Sequence, residues 1–97
     1  MRFTFIAVTI LIAAKAATAQ QTECQVTLAQ YSQLQLGMAY EQVVSILGCY
    51  GSELSSNNIG GHSNYMLAWS GSGQIGANMN ALFQDNQLIQ KSQYGLQ

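Results

Sequence analysis

Apolar residues recur along this chain with different rhythms, and each rhythm predicts a different kind of segment. From Thr27 onward, Leu28, Tyr31 and Leu34 return every third position, which lays them along one side of a short helix that the pattern carries to Gly37. A second helix follows. Tyr40, Val43, Val44 and Leu47 sit at i, i+3, i+4 and i+7, Glu41, Gln42 and Ser45 take the opposite side, and Gly48 supplies a left-handed C-cap. Helices this short do not persist alone in water, so both need an apolar surface to pack on.

Beyond Gly48 the helical period stops, and glycine, serine and asparagine divide the chain into short extended segments. Gly51 to Ile59 is weakly extended, Gly60-Gly61 is a turn, and Tyr65 to Trp69 is dense in aromatic and aliphatic residues. After Gly71-Ser72-Gly73, the residues Ala77, Met79, Ala81 and Phe83 alternate with Asn78, Asn80, Leu82 and Gln84, the clearest strand period in the chain. Asp85-Asn86 both tolerate positive φ and predict a two-residue hairpin returning into Gln87 to Tyr94. The expected fold class is α+β, in the order ααββββ, with two short N-terminal helices packed on one face of a four-stranded antiparallel sheet. Tyr65, Leu67 and Trp69 share one strand face, either as the contact with Leu34, Val43 and Leu47 of the helices or as a partner-binding patch; the scarcity of other core residues favours the first.

The first residues follow another logic. Arg2, an apolar run from Phe3 to Ala14, and Ala17-Thr18-Ala19 before Gln20 have the order of a secretory signal peptide, residues 1–19, leaving one domain over residues 20–97. The run is shorter than the roughly twenty residues that span a bilayer, so no integral membrane segment is expected after cleavage. The product is expected in the periplasm or the medium. There, Cys24 and Cys49 meet an oxidising environment, and a structural disulfide is the expected pairing; a redox-active pair lacks both a C-x-x-C spacing and a cationic neighbour.

Charge narrows the partners. Cleavage removes Arg2 and Lys15 and leaves Lys91 against Glu23, Glu41, Glu53 and Asp85, a formal charge of −3. One lysine and no arginine give no electrostatic footprint for nucleic acid, and nucleic acid is excluded as a partner. Catalysis finds little support either. His62, the only histidine, lies in a glycine-rich turn where solvation is expected, and the carboxylates fall in separate segments. One histidine and two distant cysteines do not make a metal site, and no cofactor is expected.

Tyr31 to Met38, followed by Glu41-Gln42-Val43-Val44-Ser45-Ile46-Leu47-Gly48, resembles the repeat unit of the β-lactamase-inhibitor-protein family. The similarity continues through Tyr65 to Trp69, Ile75-Gly76-Ala77-Asn78, Phe83 to Asn86 and Lys91 to Leu96. The shorter Gly-Met, Gln-Val and Leu-Gly element also resembles the small outer-membrane assembly lipoproteins. The first resemblance implies an exported, inhibitor-like protein-binding module rather than an enzyme; the second implies a structural or envelope-maintenance role. In the inhibitor, two such units in tandem grip an enzyme with a sheet face rich in tryptophan, histidine and arginine. The resemblance places Asn80, Leu82, Ser92 and Tyr94 on the corresponding open face, as contacts for a protein partner whose identity the sequence does not disclose. Only Tyr94 among them is an aromatic anchor of the kind that dominates interfaces. Members of the family it resembles usually carry Thr or Ser after the Gly-Met pair, where it caps the second helix; Ala39 has no oxygen for that purpose, and compensation is expected elsewhere.

Overall fold

The computed structural model describes residues 24–97; the expected signal peptide, residues 1–19, lies outside the described residues. Helix α1 (Leu28–Gln33) and helix α2 (Tyr40–Leu47) precede strands β1 (Ser52–Ile59), β2 (His62–Ser70), β3 (Gly73–Gln84) and β4 (Gln87–Leu96). The four strands form one antiparallel meander in the order β1-β2-β3-β4, so the ααββββ expectation holds.

Helix α1 starts with a capping box. The Gln30 amide donates to Thr27 Oγ1 (3.1 Å), and the Thr27 amide donates to Gln30 Oε1 (2.9 Å). The helix ends earlier than the apolar spacing implies, because Leu34 is already extended. Two tertiary contacts hold that break: Lys91 Nζ donates to the carbonyls of Tyr31 (3.0 Å) and Leu34 (2.9 Å), acceptors at and just past the end of the helix. Leu34 is buried, whereas Leu28, on the first turn, is 41% exposed and lies outside the core.

Helix α2 ends at Gly48 with φ 86°, the left-handed cap expected there. At its start, Ala39 makes no side-chain cap, but Gln42 Oε1 accepts from the Ala39 amide (2.9 Å). The compensation comes from the far end of the chain. Asn86 Oδ1, at the β3–β4 hairpin, accepts from the Tyr40 amide at 3.1 Å, a cap supplied across 46 residues. Asp85 (φ 52°) and Asn86 (φ 61°) both have positive φ, as the two-residue hairpin requires.

The core lies between the helices and one sheet face. Leu34, Val43 and Leu47 meet Leu67, Trp69, Met79, Ala81, Phe83 and Leu88, with Tyr65 and Tyr40 packed at the margin. Tyr65 stacks on Phe83 with centroids 5.6 Å apart, and Tyr40 meets Phe83 edge-on at 5.4 Å. The Tyr65-Leu67-Trp69 face is therefore core, and Trp69 Nε1 donates to the Cys49 carbonyl at 3.0 Å. Cys24 and Cys49 form the expected disulfide. It fastens a segment in which Val26 is fully buried and bonded to the last residue of β2 through the Ser70 carbonyl and to the turn after it through the Ser72 amide.

Candidate functional site: the open sheet face

Alternation along the strands decides which side chains the helices leave uncovered. In β3, Ala77, Met79, Ala81 and Phe83 are buried, so Asn78, Asn80, Leu82 and Gln84 point to the other face. Register carries that assignment across the sheet: Met66, Leu82 and Gln90 form one cross-strand row, Ala68, Asn80 and Ser92 a second, and Ser70, Asn78 and Tyr94 a third. All four residues expected at the site thus share one face, with Asn80 directly opposite Ser92. Leu82 is flanked by Met66 and Gln90, and Tyr94, 59% exposed, stands at the end of the sheet opposite the hairpin.

The sequence reading did not include Met66 and Gln90, although the period of two through Tyr65–Trp69 places Met66 opposite the core triad. Nor did it include Ile75, which is fully exposed between Gly73 (φ 135°) and Gly76 (φ 86°), where the β3–β4 register shifts and the chain bulges outward. Tyr50, also strongly exposed, precedes β1 at the same end of the sheet as Tyr94. An exposed isoleucine among glycines was the available signal.

Among the described residues, formal charge on this face is confined to its hairpin end, where His62 continues the β2 row of Asn64 and Met66 and meets Asp85. Glu41 is on α2, Glu53 pairs with Leu67 on the core side of β1, and Lys91 lies over the Tyr31 ring, 4.3 Å from its centroid. Asp85 sits in the hairpin, where His62 Nδ1 donates to its Oδ2 at 2.6 Å and the Ser63 amide donates to Oδ1 at 3.0 Å. These two hydrogen bonds hold the Asp85 carboxyl below its ordinary range. His62 is thus paired rather than merely solvated, a contact invisible to sequence because 23 residues separate the two. The pair is half exposed on both sides.

Among the described residues, the face carries no deep pocket. A hollow of about 50 Å³, with Met66, Asn80, Leu82, Gln90 and Ser92 in its lining, is far below the roughly 300 Å³ of a small-molecule pocket. Another, of about 220 Å³, lies beside the disulfide, between Cys24, Cys49, Tyr50 and Trp69. Among the described residues, no group of three metal-ligating side chains comes together, and no helix is long and apolar enough to cross a membrane. What the face offers is an array of amides and hydroxyls with Met66, Leu82 and Tyr94 set into it.

Comparison with known proteins identifies the family and the fold. Residues 14–97 match the family model described as beta-lactamase inhibitor (BLIP). Among solved structures, a candidate beta-lactamase inhibitor protein from Streptococcus mutans superposes with a TM-score of 0.66 at 21% sequence identity. The match covers 76% of this chain and 47% of that one, so the chain spans about half the length of this structural relative. No curated protein matches.

Proposed function

Since the chain belongs to the beta-lactamase inhibitor (BLIP) family, we propose that it is an exported protein-binding module whose contact surface is the open face of the sheet. The observation that carries this reading is the face on which Leu82 and Met66 occupy one row among neutral polar neighbours and Tyr94 stands exposed at the end. Aromatic and aliphatic anchors surrounded by polar neighbours are the usual anatomy of an interface core and its rim. Ile75 and Tyr50 extend the exposed apolar area at the Tyr94 end. The Cys24–Cys49 disulfide and the family membership support export.

Chemistry also says how the contact behaves. With no formal charge beside Leu82 and Tyr94, a contact centred on them changes little with ionic strength. The family name makes β-lactamases the first target class to try. The face has no tryptophan or arginine, and its one histidine, His62, is paired with Asp85 at the hairpin end, so a different target is equally served by it.

The experiment is affinity capture with the purified, oxidised protein, first against a panel of β-lactamases and then against envelope and secreted proteins of the producing organism. Any captured protein is then titrated directly. A target whose affinity falls at least tenfold with Leu82→Ala and Tyr94→Ala together, while the bait keeps its melting temperature, supports the reading; such a drop corresponds to about 1.4 kcal/mol. Binding that survives the double substitution removes the open face from the interface. Retention of the protein in outer-membrane complexes instead would favour the envelope-maintenance role.

A further inference from the structure

The two edges of the sheet are unequal. At β4 the chain covers its own edge: the Gly37 amide donates to the Leu88 carbonyl, the Leu88 amide donates to the Met38 carbonyl, and the Leu28 amide donates to the Gln97 carbonyl. Strand β1 has no such cover. All eight of its residues, Ser52–Ile59, are exposed, and the helices do not extend over it. Edges left free are ordinarily protected by lysine, proline, inward charge or a bulge. Here the protection is confined to one end, where Glu53 and a register shift between Glu53 and Ser55 occur; Ser55 to Ile59 is regular, uncharged and free of proline.

A second feature singles out the middle of that regular stretch. On the open face, Gln84 Nε2 donates to Asn64 Oδ1 (3.0 Å), and Asn64 Nδ2 donates to Asn57 Oδ1 (3.2 Å). The three amides form a ladder running across β3, β2 and β1, each rung donating toward the free edge. At Asn57 the ladder reaches the outermost strand, and its amide has no further strand to donate to.

We propose that β1 is a self-association edge, and that two copies of this chain pair β1 with β1 antiparallel about a two-fold axis passing through Asn57. The pairing is self-complementary in three respects. Asn57 faces its own copy, and a carboxamide is both donor and acceptor, so the two Asn57 side chains continue the ladder into the partner. Ser56 faces Asn58, and Ser55 faces Ile59, so Ile59, which is 67% exposed in the single chain, gains cover on the open face. Glu53 falls outside the paired stretch, so no like charges oppose one another. A two-fold axis perpendicular to the sheet keeps both open faces on the same side, giving one continuous eight-stranded surface.

The inference does not depend on a target. The test is sedimentation of the oxidised protein between about ten micromolar and about one millimolar, because an interface of one short strand pair is weak. A rise in mean mass toward twice the monomer is expected. Asn57→Lys places two ammonium groups across the axis and is expected to weaken association at least tenfold, with the melting curve unchanged. Asn57→Cys, whose thiols lie opposite each other only in this register, is expected to give a disulfide-linked dimer under mild oxidation. A wild-type protein that stays monomeric throughout overturns the proposal, as does a dimer that neither substitution affects. A monomer leaves the reading of the open face intact, and a dimer that binds no target leaves this one intact.

Discussion

Asn86 serves the hairpin with its backbone and helix α2 with its side chain. Its positive φ is legible from the Asp85-Asn86 pair, but the bond to the Tyr40 amide is not, since no local pattern announces a partner so far away. Its neighbours reinforce it: Asn86 Nδ2 donates to Glu41 Oε1 at 3.3 Å, and the Tyr65 hydroxyl donates to Asn86 Oδ1 at 3.1 Å. Burial, aided by the Glu41 carboxylate, pushes the Tyr65 phenol up, so it remains a donor. Asp85 yields a pH prediction. Its folded-state pKa is lowered, first by the hydrogen bond from His62 and then by the Ser63 amide. A carboxyl depressed on folding adds stability that is fully present above its unfolded pKa, near 4, and is lost as pH falls through the lower folded value. Asp85→Asn is therefore expected to flatten the acid limb of the stability curve below about pH 4, read by urea denaturation at stepped pH. An acid limb as steep as that of the wild type would show that the His62 pairing does not persist in solution.

At the level of elements, the legible parts were those encoded by short periods. Val43 and Leu47 fixed the buried side of α2, Gly48 its end, and Ala77 to Phe83 the core face of β3. What escaped was settled by partners rather than by pattern. Strand β2 begins at His62, and β3 at Gly73, because polar and glycine residues there are held in extended form by neighbouring strands. Where helix α1 stops, Lys91, the only lysine or arginine among the described residues, binds the carbonyls of Tyr31 and Leu34. Of the site, the shared face of Asn80, Leu82, Ser92 and Tyr94 was legible; the cross-strand row through Met66 required the register. The start of α2 is the element where this division is testable. Ala39 has extended dihedrals suited to an N-cap (φ −73°, ψ 158°). Ala39→Ser adds a hydroxyl within reach of the Gln42 amide and is expected to add about 0.5–1 kcal/mol, raising Tm by roughly 2–8 °C in a domain of this size. The same substitution is expected to recover part of the loss caused by Asn86→Gly, which keeps the positive φ but removes the remote cap. Circular dichroism melting of the single and double variants measures both effects. An unchanged Tm in Ala39→Ser would show that Gln42 and Asn86 already satisfy the first turn.

On the scale of the whole molecule, one covered face must stabilise a small sheet, and the segment before α1 closes the end of its core. Val26 is fully buried there, yet no helix or strand contains it; one isolated bridge to Gly71 and the nearby disulfide hold it. The space it closes is tight: a side chain at Gly71 would collide with Leu96. The cross-link joins residues separated by 25 positions, and closing a loop of that size removes roughly 3 kcal/mol of unfolded-chain entropy. A domain below about 80 residues has little stability to spare, so the Cys24→Ser, Cys49→Ser double variant is expected to lose most of its resistance to urea. The loss has an expected location as well as a size. Hydrogen exchange is expected to accelerate first at the Val26 and Ser72 amides, whose bonds tie the segment to the Ser70 carbonyl and to the Val26 carbonyl itself. Amides of β3, packed by Phe83 and Met79 on the helices, are expected to stay protected up to the global unfolding limit. Were both sets to accelerate together, the disulfide would be stabilising the domain as one cooperative unit, and the segment around Val26 would belong to its core on equal terms with the helices.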